Sequence, residues 1–204
     1  MITFISNADT DLLALRSIVE GLDGGLDTTR AASASPNDTL GDLEEGSVVI
    51  LRLLGGIKAW PTQVGELLER AERGAITLWA FSGDTTFDPE MAAISTPHID
   101  DVAFGFEYLR HGGLENLRFL LYHVANVSLG AQLPISPPKV VPETGSFRRH
   151  PLVVGRPSVA VVFYRSHLLS GNVGFIDDLL DACEEAGVNA TAVFANSLRG
   201  TSGA

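Results

Sequence analysis

The chain has 204 residues, 45% hydrophobic and 19% charged, which excludes a disordered polypeptide and allows one ordinary domain plus part of another. Its formal net charge of −11 argues against a nucleic-acid or anionic-membrane surface, because phosphate binding takes clustered Lys and Arg. No run approaches the roughly 20 apolar residues of a membrane span. The first residues carry no basic, cleavable leader, so a soluble, cytoplasmic protein is expected. The single cysteine, Cys183, excludes an intrachain disulfide framework and fits a reducing compartment. It falls on the buried side of a helical pattern, as an inert core thiol does.

In chain order, Ile2–Ser6 reads as a short strand, followed by a helix capped by Asp9 or Thr10 and running to Glu20. Leu12, Leu13, Leu15, Ile18 and Val19 form its apolar face. Leu26–Ala32 is a weak strand near an edge, residues 35–38 are turn chemistry, and Thr39–Glu45 reads as a short helix. Val48–Leu54 is apolar on both faces except for Arg52, and it closes at Gly55-Gly56. That pattern is the central strand of a parallel sheet covered on both sides. A helix from Pro61 to Arg73 ends at Gly74, and Ala75–Phe81 is a second buried strand. Asp88-Pro89-Glu90 opens a short helix. Ile99–His111 and Leu114–Leu129 are longer helices parted by Gly112-Gly113, the second deeply packed or shared with a partner.

From Gly130 to Pro157 the composition shifts to prolines (Pro134, Pro137, Pro138, Pro142, Pro151, Pro157) without a helical or strand period. Then Ser158–Tyr164 reads as a buried strand, Asn172–Gly187 as a helix and Asn189–Ala195 as a strand. Strand–helix alternation implies an α/β fold, a flavodoxin-like doubly wound parallel sheet over residues 1–132. A Pro-rich linker over 133–157 and the βαβ start of a second α/β domain over 158–204 follow. A lone βαβ unit cannot bury both faces of its strands, so it either pairs with the first domain or opens a domain whose remainder lies elsewhere.

Three places could carry chemistry. Arg52 with Gly55 and Gly56 could offer a guanidinium and open amides to a carboxylate at the sheet's C-terminal edge; alternatively Arg52 forms an internal ion pair with Asp84 or another carboxylate. His111-Gly112-Gly113 with Asn116 is either a ligand-facing elbow or a helix stop and restart. Tyr164-Arg165-Ser166-His167, continuing to Asn172, gathers polar groups at a strand's C-terminal end. They suit an anionic or amide-bearing planar ligand, or a turn with Asn172 as N-cap. The five histidines (His98, His111, His123, His150, His167) show no metal-ligand spacing, so no metal site is assigned. The chain also lacks a G-x-G-x-x-G fingerprint, a Walker loop and a G-x-S-x-G elbow, and no catalytic residue is assigned.

RLLGG at Arg52–Gly56 followed by Trp60, YLRHGGLENLR at Tyr108–Arg118, and VVFYRSHLLSGNVGFIDDLLDACEEAG at Val161–Gly187 together resemble the large subunit of aerobic cobaltochelatase. This is the CobN-type family, related to the magnesium chelatase large subunit, and the resemblance runs in order from Asp9 to Arg199. It implies ATP-dependent insertion of cobalt into hydrogenobyrinic acid a,c-diamide on the way to cobalamin. Cobalt is then a substrate, no cofactor is bound by this chain, and ATP and Mg are used by AAA+ ATPase and adaptor partner subunits. Family members are much longer, so the chain matches their N-terminal region and should not be catalytic alone; the remainder of the large subunit is an implied partner. Arg52, Gly55, Gly56, Trp60, His111, Asn116, Tyr164, Arg165, Ser166 and Asn172 are the expected tetrapyrrole contacts. Three other readings are a non-catalytic docking module for the AAA+ motor, a magnesium–protoporphyrin chelatase fragment, and an unrelated flavodoxin-like domain for a small anion.

Overall fold

The computed structural model describes residues 1–35, 39–147 and 151–197. Most of the expected turn at 35–38, His150 and the tail that includes Arg199 lie outside the described residues. The chain divides into two compact units, Met1–Val140 and Val141–Ala204.

In the first unit, strands β1 (Ile2–Ser6), β2 (Arg30–Ser33), β3 (Ser47–Leu53) and β4 (Ile76–Ser82) form a wholly parallel sheet in the order β2-β1-β3-β4. Helices α1 (Asp9–Ile18), α4 (Ile99–His111) and α5 (Leu114–Leu129) cover one face, where Phe4, Ile50, Trp79 and Phe81 meet Leu15, Phe106 and Leu121. On the other face α2 (Pro61–Glu72) and α3 (Pro89–Ala93) bury Val49, Leu51, Leu53 and Leu78 beneath Val64, Leu67 and Met91. Covered on both sides, β3 can be apolar along its whole length. The result is the expected doubly wound α/β fold.

β4 ends the sheet, yet its free edge is not left open. The Leu78 and Ala80 amides donate to the hydroxyls of Thr96 (3.0 Å) and Ser95 (2.9 Å), and Thr96 N donates back to Leu78 O at 2.8 Å. Two residues after α3 thus do for the middle of this edge what a fifth strand would do elsewhere.

Several local expectations change. The α1 N-cap position is Ala8, so neither Asp9 nor Thr10 caps it, and Leu13 on the expected apolar face is exposed. The edge strand β2 is shorter than expected, because Leu26–Thr28 form a 3₁₀ turn. Thr39–Glu45 is not helical. With Gly41 and Asp42 inside a seven-residue run, one helical turn's bonds cannot offset nucleation, and Leu40 and Leu43 pack individually instead.

The Pro-rich stretch is not one linker. Its first part is fastened to the first unit: Asn126 exchanges two hydrogen bonds with the backbone of Leu133, and Asn116 does the same with Lys139 (2.8–2.9 Å). The Tyr108 hydroxyl donates to Ser136 O at 2.6 Å, and burial pushes that phenol's pKa up. Extended, proline-interrupted backbone has no ladder partner, so asparagine amides supply one.

The second unit holds strands β5 (Thr144–Phe147), β6 (Ser158–Tyr164) and β7 (Asn189–Ala195) in the order β5-β7-β6, with β5 antiparallel and β6 parallel to β7. β5 lies inside the segment expected to be a linker; its four residues are too few to show a period. Helices α6 (Arg165–Leu169) and α7 (Gly174–Glu185) follow β6, and Ile176 and Leu180 of α7 pack on Phe163, Ala192 and Phe194. β6, expected to be buried, is mostly exposed, and Cys183 is only half-buried.

At Gly83 a Cβ would collide with the backbone N of Leu54, whereas at Gly65 on α2 it would meet nothing. We expect Gly83→Ala to lower stability by about 1–3 kcal/mol and Gly65→Ala to raise it by up to about 1 kcal/mol, read as opposite shifts of the urea midpoint.

Candidate functional site

In a doubly wound sheet the ligand crevice opens beyond the strand C-termini where the strand order reverses, here between β1 and β3. The sequence places Ser6-Asn7 on one side of it and Arg52 to Gly56 on the other. The chain's own side chains close it. Arg52 Nη1 sits 2.6 Å from Asp11 Oδ1, with Nη2 donating to Gly83 O at 3.2 Å. The side chains of the pair are 15% and 13% exposed, so most of the guanidinium's hydration has been replaced by these partners. Ser6 Oγ donates to the other Asp11 oxygen at 2.8 Å. Asn7 Nδ2 donates to Leu54 O (3.0 Å) while Leu54 N donates to Asn7 Oδ1 (2.8 Å), a two-bond bridge across the crevice. Arg52 therefore takes the internal-pair alternative, with Asp11 rather than Asp84.

Gly55 and Gly56 both adopt positive φ (86° and 64°) to turn β3 into a 3₁₀ segment, Gly56–Ala59, that leads to α2. A Cβ on Gly56 would press on Asp88 Oδ2 at 3.3 Å, and Asp88 caps α3 by accepting from Glu90 N and Met91 N. The two glycines serve the turn. Trp60 is 2% exposed in the core beneath α2, where its indole N–H has no hydrogen-bond partner among the described residues.

The α4–α5 elbow is likewise structural. His111 Nε2 lies 3.8 Å from a Glu107 carboxylate oxygen on its own helix. Asn116, 2% exposed, donates to Gly112 O (2.7 Å) as well as bridging Lys139.

The second unit differs. Arg165 donates from Nε to Pro142 O and from Nη2 to Val141 O, both at 2.8 Å, and fastens the strand that leads to β5. Burial lowers its pKa and the Glu143 carboxylate opposes that. Tyr164, Ser166 and Asn172 are exposed around α6. The position before α7 is Val173, so Asn172 is not its N-cap, and the His167 ring packs edge-on against Phe175 (5.0 Å between centroids). Of the expected contact set, these three side chains are exposed: Tyr164 at the end of β6, Ser166 in α6 and Asn172 after it. Among the described residues no group of three His, Cys, Asp or Glu could hold a metal ion. Two depressions among the described residues are lined by other side chains: one by Glu45, Glu69, Arg70 and Arg73 beside the start of β4, the other by Leu152, Arg156 and Leu180.

Residues 106–204 match the family model CobN/Magnesium Chelatase. An aerobic cobaltochelatase subunit CobN from Pseudomonas aeruginosa is 32% identical over 77% of this chain, and one from a Sinorhizobium species is 29% identical over 97% of it. The catalytic subunit of cobaltochelatase from Mycobacterium tuberculosis superposes over 97% of the chain with a TM-score of 0.75 and 30% identity. The chain belongs to the CobN/magnesium chelatase family. It spans 13% and 18% of the lengths of the two CobN relatives and 16% of the solved subunit. No helix among the described residues is long and apolar enough to cross a membrane.

Two of the three motifs behind the family resemblance hold the first unit together: RLLGG supplies the ion pair and the turn, and YLRHGGLENLR supplies Tyr108 and Asn116. Spacing alone gave no sign of Asp11, Asn7 or Asn126. The signal available was position: a polar residue directly after β1 at the strand-order reversal has a backbone to bridge.

Arg52→Ala strands Asp11 in a site with little water. We expect a loss of about 2–3 kcal/mol in chemical denaturation, with Asp11→Ala in the Arg52→Ala background costing clearly less than the sum of the single changes. Asn126→Ala should leave the sheet intact while releasing the segment at Leu133, seen as new cleavage between residues 131 and 140 in limited proteolysis.

Proposed function

We propose that the chain is part of a cobaltochelatase large subunit, in which the first unit is a self-contained scaffold and the second contributes contacts to the tetrapyrrole. The observation that carries this reading is the similarity, across both units, to the Mycobacterium tuberculosis catalytic subunit. Its relatives' names favour cobalt over magnesium as the inserted metal. Cobalt is a substrate here, ATP hydrolysis belongs to AAA+ partner subunits, and metal insertion requires the rest of the large subunit.

The geometry divides the labour. Arg52 and Asn116 spend their polar groups on partners inside the first unit, and the Trp60 ring is buried there. Tyr164 is half exposed at the end of β6, and Ser166 in α6 and Asn172 just after it are exposed as well. A half-exposed phenol ring can lie against a macrocycle, and the hydroxyl and amide can bond its carboxylate or carboxamide arms. No proton transfer or metal ligation is assigned to this set; its role is to hold and orient.

Titrating the folded protein with hydrogenobyrinic acid a,c-diamide, followed by tetrapyrrole absorbance, tests this. Saturable binding is expected, weakened at least tenfold (about 1.4 kcal/mol) when Tyr164, Ser166 and Asn172 are all changed to Ala, and unchanged in Asn126→Ala. Absence of binding by a sample with native circular dichroism would sink the substrate-contact role and leave the chain as scaffold. The acidic balance favours a second reading, a docking piece for the motor subunits, which a salt-sensitive pull-down with those subunits would support.

A further inference from the structure

The sheet of the second unit is dressed on one face only. Val161 and Phe163 of β6 point into the small core beneath α7, while Ser158, Ala160, Val162 and Tyr164 on the alternate positions are all exposed, Val162 at 53%. β6 also ends the sheet, so its outer edge has no strand beside it among the described residues. Parallel strands are normally covered on both faces, and a three-stranded sheet with an open apolar edge invites pairing.

We propose that this face and edge receive one helix–strand unit from the remainder of the large-subunit polypeptide, its strand adding parallel to β6 and its helix lying over Ala160 and Val162, short of Tyr164 at the strand's end. This rests on reading the chain as part of a larger subunit. Handedness supports it. The β6-α7-β7 crossover is spent on the covered face; a connection that returns from β7 past β6 travels across the sheet in the opposite sense. Right-handed crossovers then put its helix on the opposite face, which is the bare one. The length supports it too: relatives similar over 97% of this chain carry several times more polypeptide, since the chain spans 16–18% of them. A second copy fits less well. Two β6 edges related by a two-fold axis run antiparallel and leave both outer faces bare. With the added strand in place, the strand order reverses beside β6, and its C-terminal end, where Tyr164 and Ser166 sit, becomes the mouth of a crevice.

Hydrogen–deuterium exchange tests the proposal, comparing the 204-residue chain with the same chain joined to the polypeptide that flanks the matched segment in the Pseudomonas aeruginosa relative. Peptides covering Ser158–Tyr164 should exchange roughly tenfold or more slowly in the joined protein, while β1 and β3 peptides do not change. Val162→Lys should be neutral for the melting of the 204-residue chain and lower the melting temperature of the joined one. Equal exchange in the two proteins overturns the proposal. So does protection already present in the 204-residue chain, or a dimer of that chain that Val162→Lys dissolves. None of these readouts uses tetrapyrrole or cobalt, so this proposal and the substrate-contact role fail separately.

Discussion

A guanidinium in the middle strand of a parallel sheet must find a carboxylate, and in this protein Asp11 provides it. The 2.6 Å contact between Arg52 and Asp11 ties the start of α1 to the end of β3, and Ser6 and Gly83 complete the set around it. That one pair decides what the first unit can do. It lies at the crevice between β1 and β3, and with the Asn7 bridge it ties the C-terminal ends of those two strands together.

A second constraint is the need to satisfy backbone that no strand or helix accommodates. The same device recurs four times: Asn7 with Leu54, Asn116 with Lys139, Asn126 with Leu133 and Asn189 with Val153, each amide donating to a carbonyl and accepting from the N–H of the same residue. Each bridge substitutes a side chain for a ladder partner. Two of them, from Asn116 and Asn126 on α5, hold the proline-rich segment at Leu133 and Lys139 against that helix. Removing one bridge exposes both halves of a pair, which is why the cost concentrates at these residues.

The two units stand at different degrees of closure. In the first, both sheet faces are covered and even the β4 edge is capped by Ser95 and Thr96. In the second, one face and one edge are bare among the described residues. Among the candidates in the first unit, Arg52 and Asn116 are hydrogen-bonded within it and Trp60 is buried, whereas Tyr164, Ser166 and Asn172 of the second are exposed.

Much of the fold was legible from hydrophobic period and punctuation. β3, α2, α4, α5 and β7 lie where apolar runs, prolines and glycines put them, because those signals act over a few neighbouring residues. β5 and the irregular stretch at 39–45 were not legible, since a four-residue strand exists only through its partner β7 and a seven-residue run cannot nucleate a helix on its own. The candidate site followed the same division. Sequence determined that Arg52 needed a partner and that the residues after β6 were unusually polar; it also carried the family resemblance. Only tertiary structure decided that the partner is Asp11, 41 residues away, that Asn116 is spent on Lys139, and that Tyr164 faces outward. Pairings at such separations depend on which strands become neighbours, and local sequence carries no term for that.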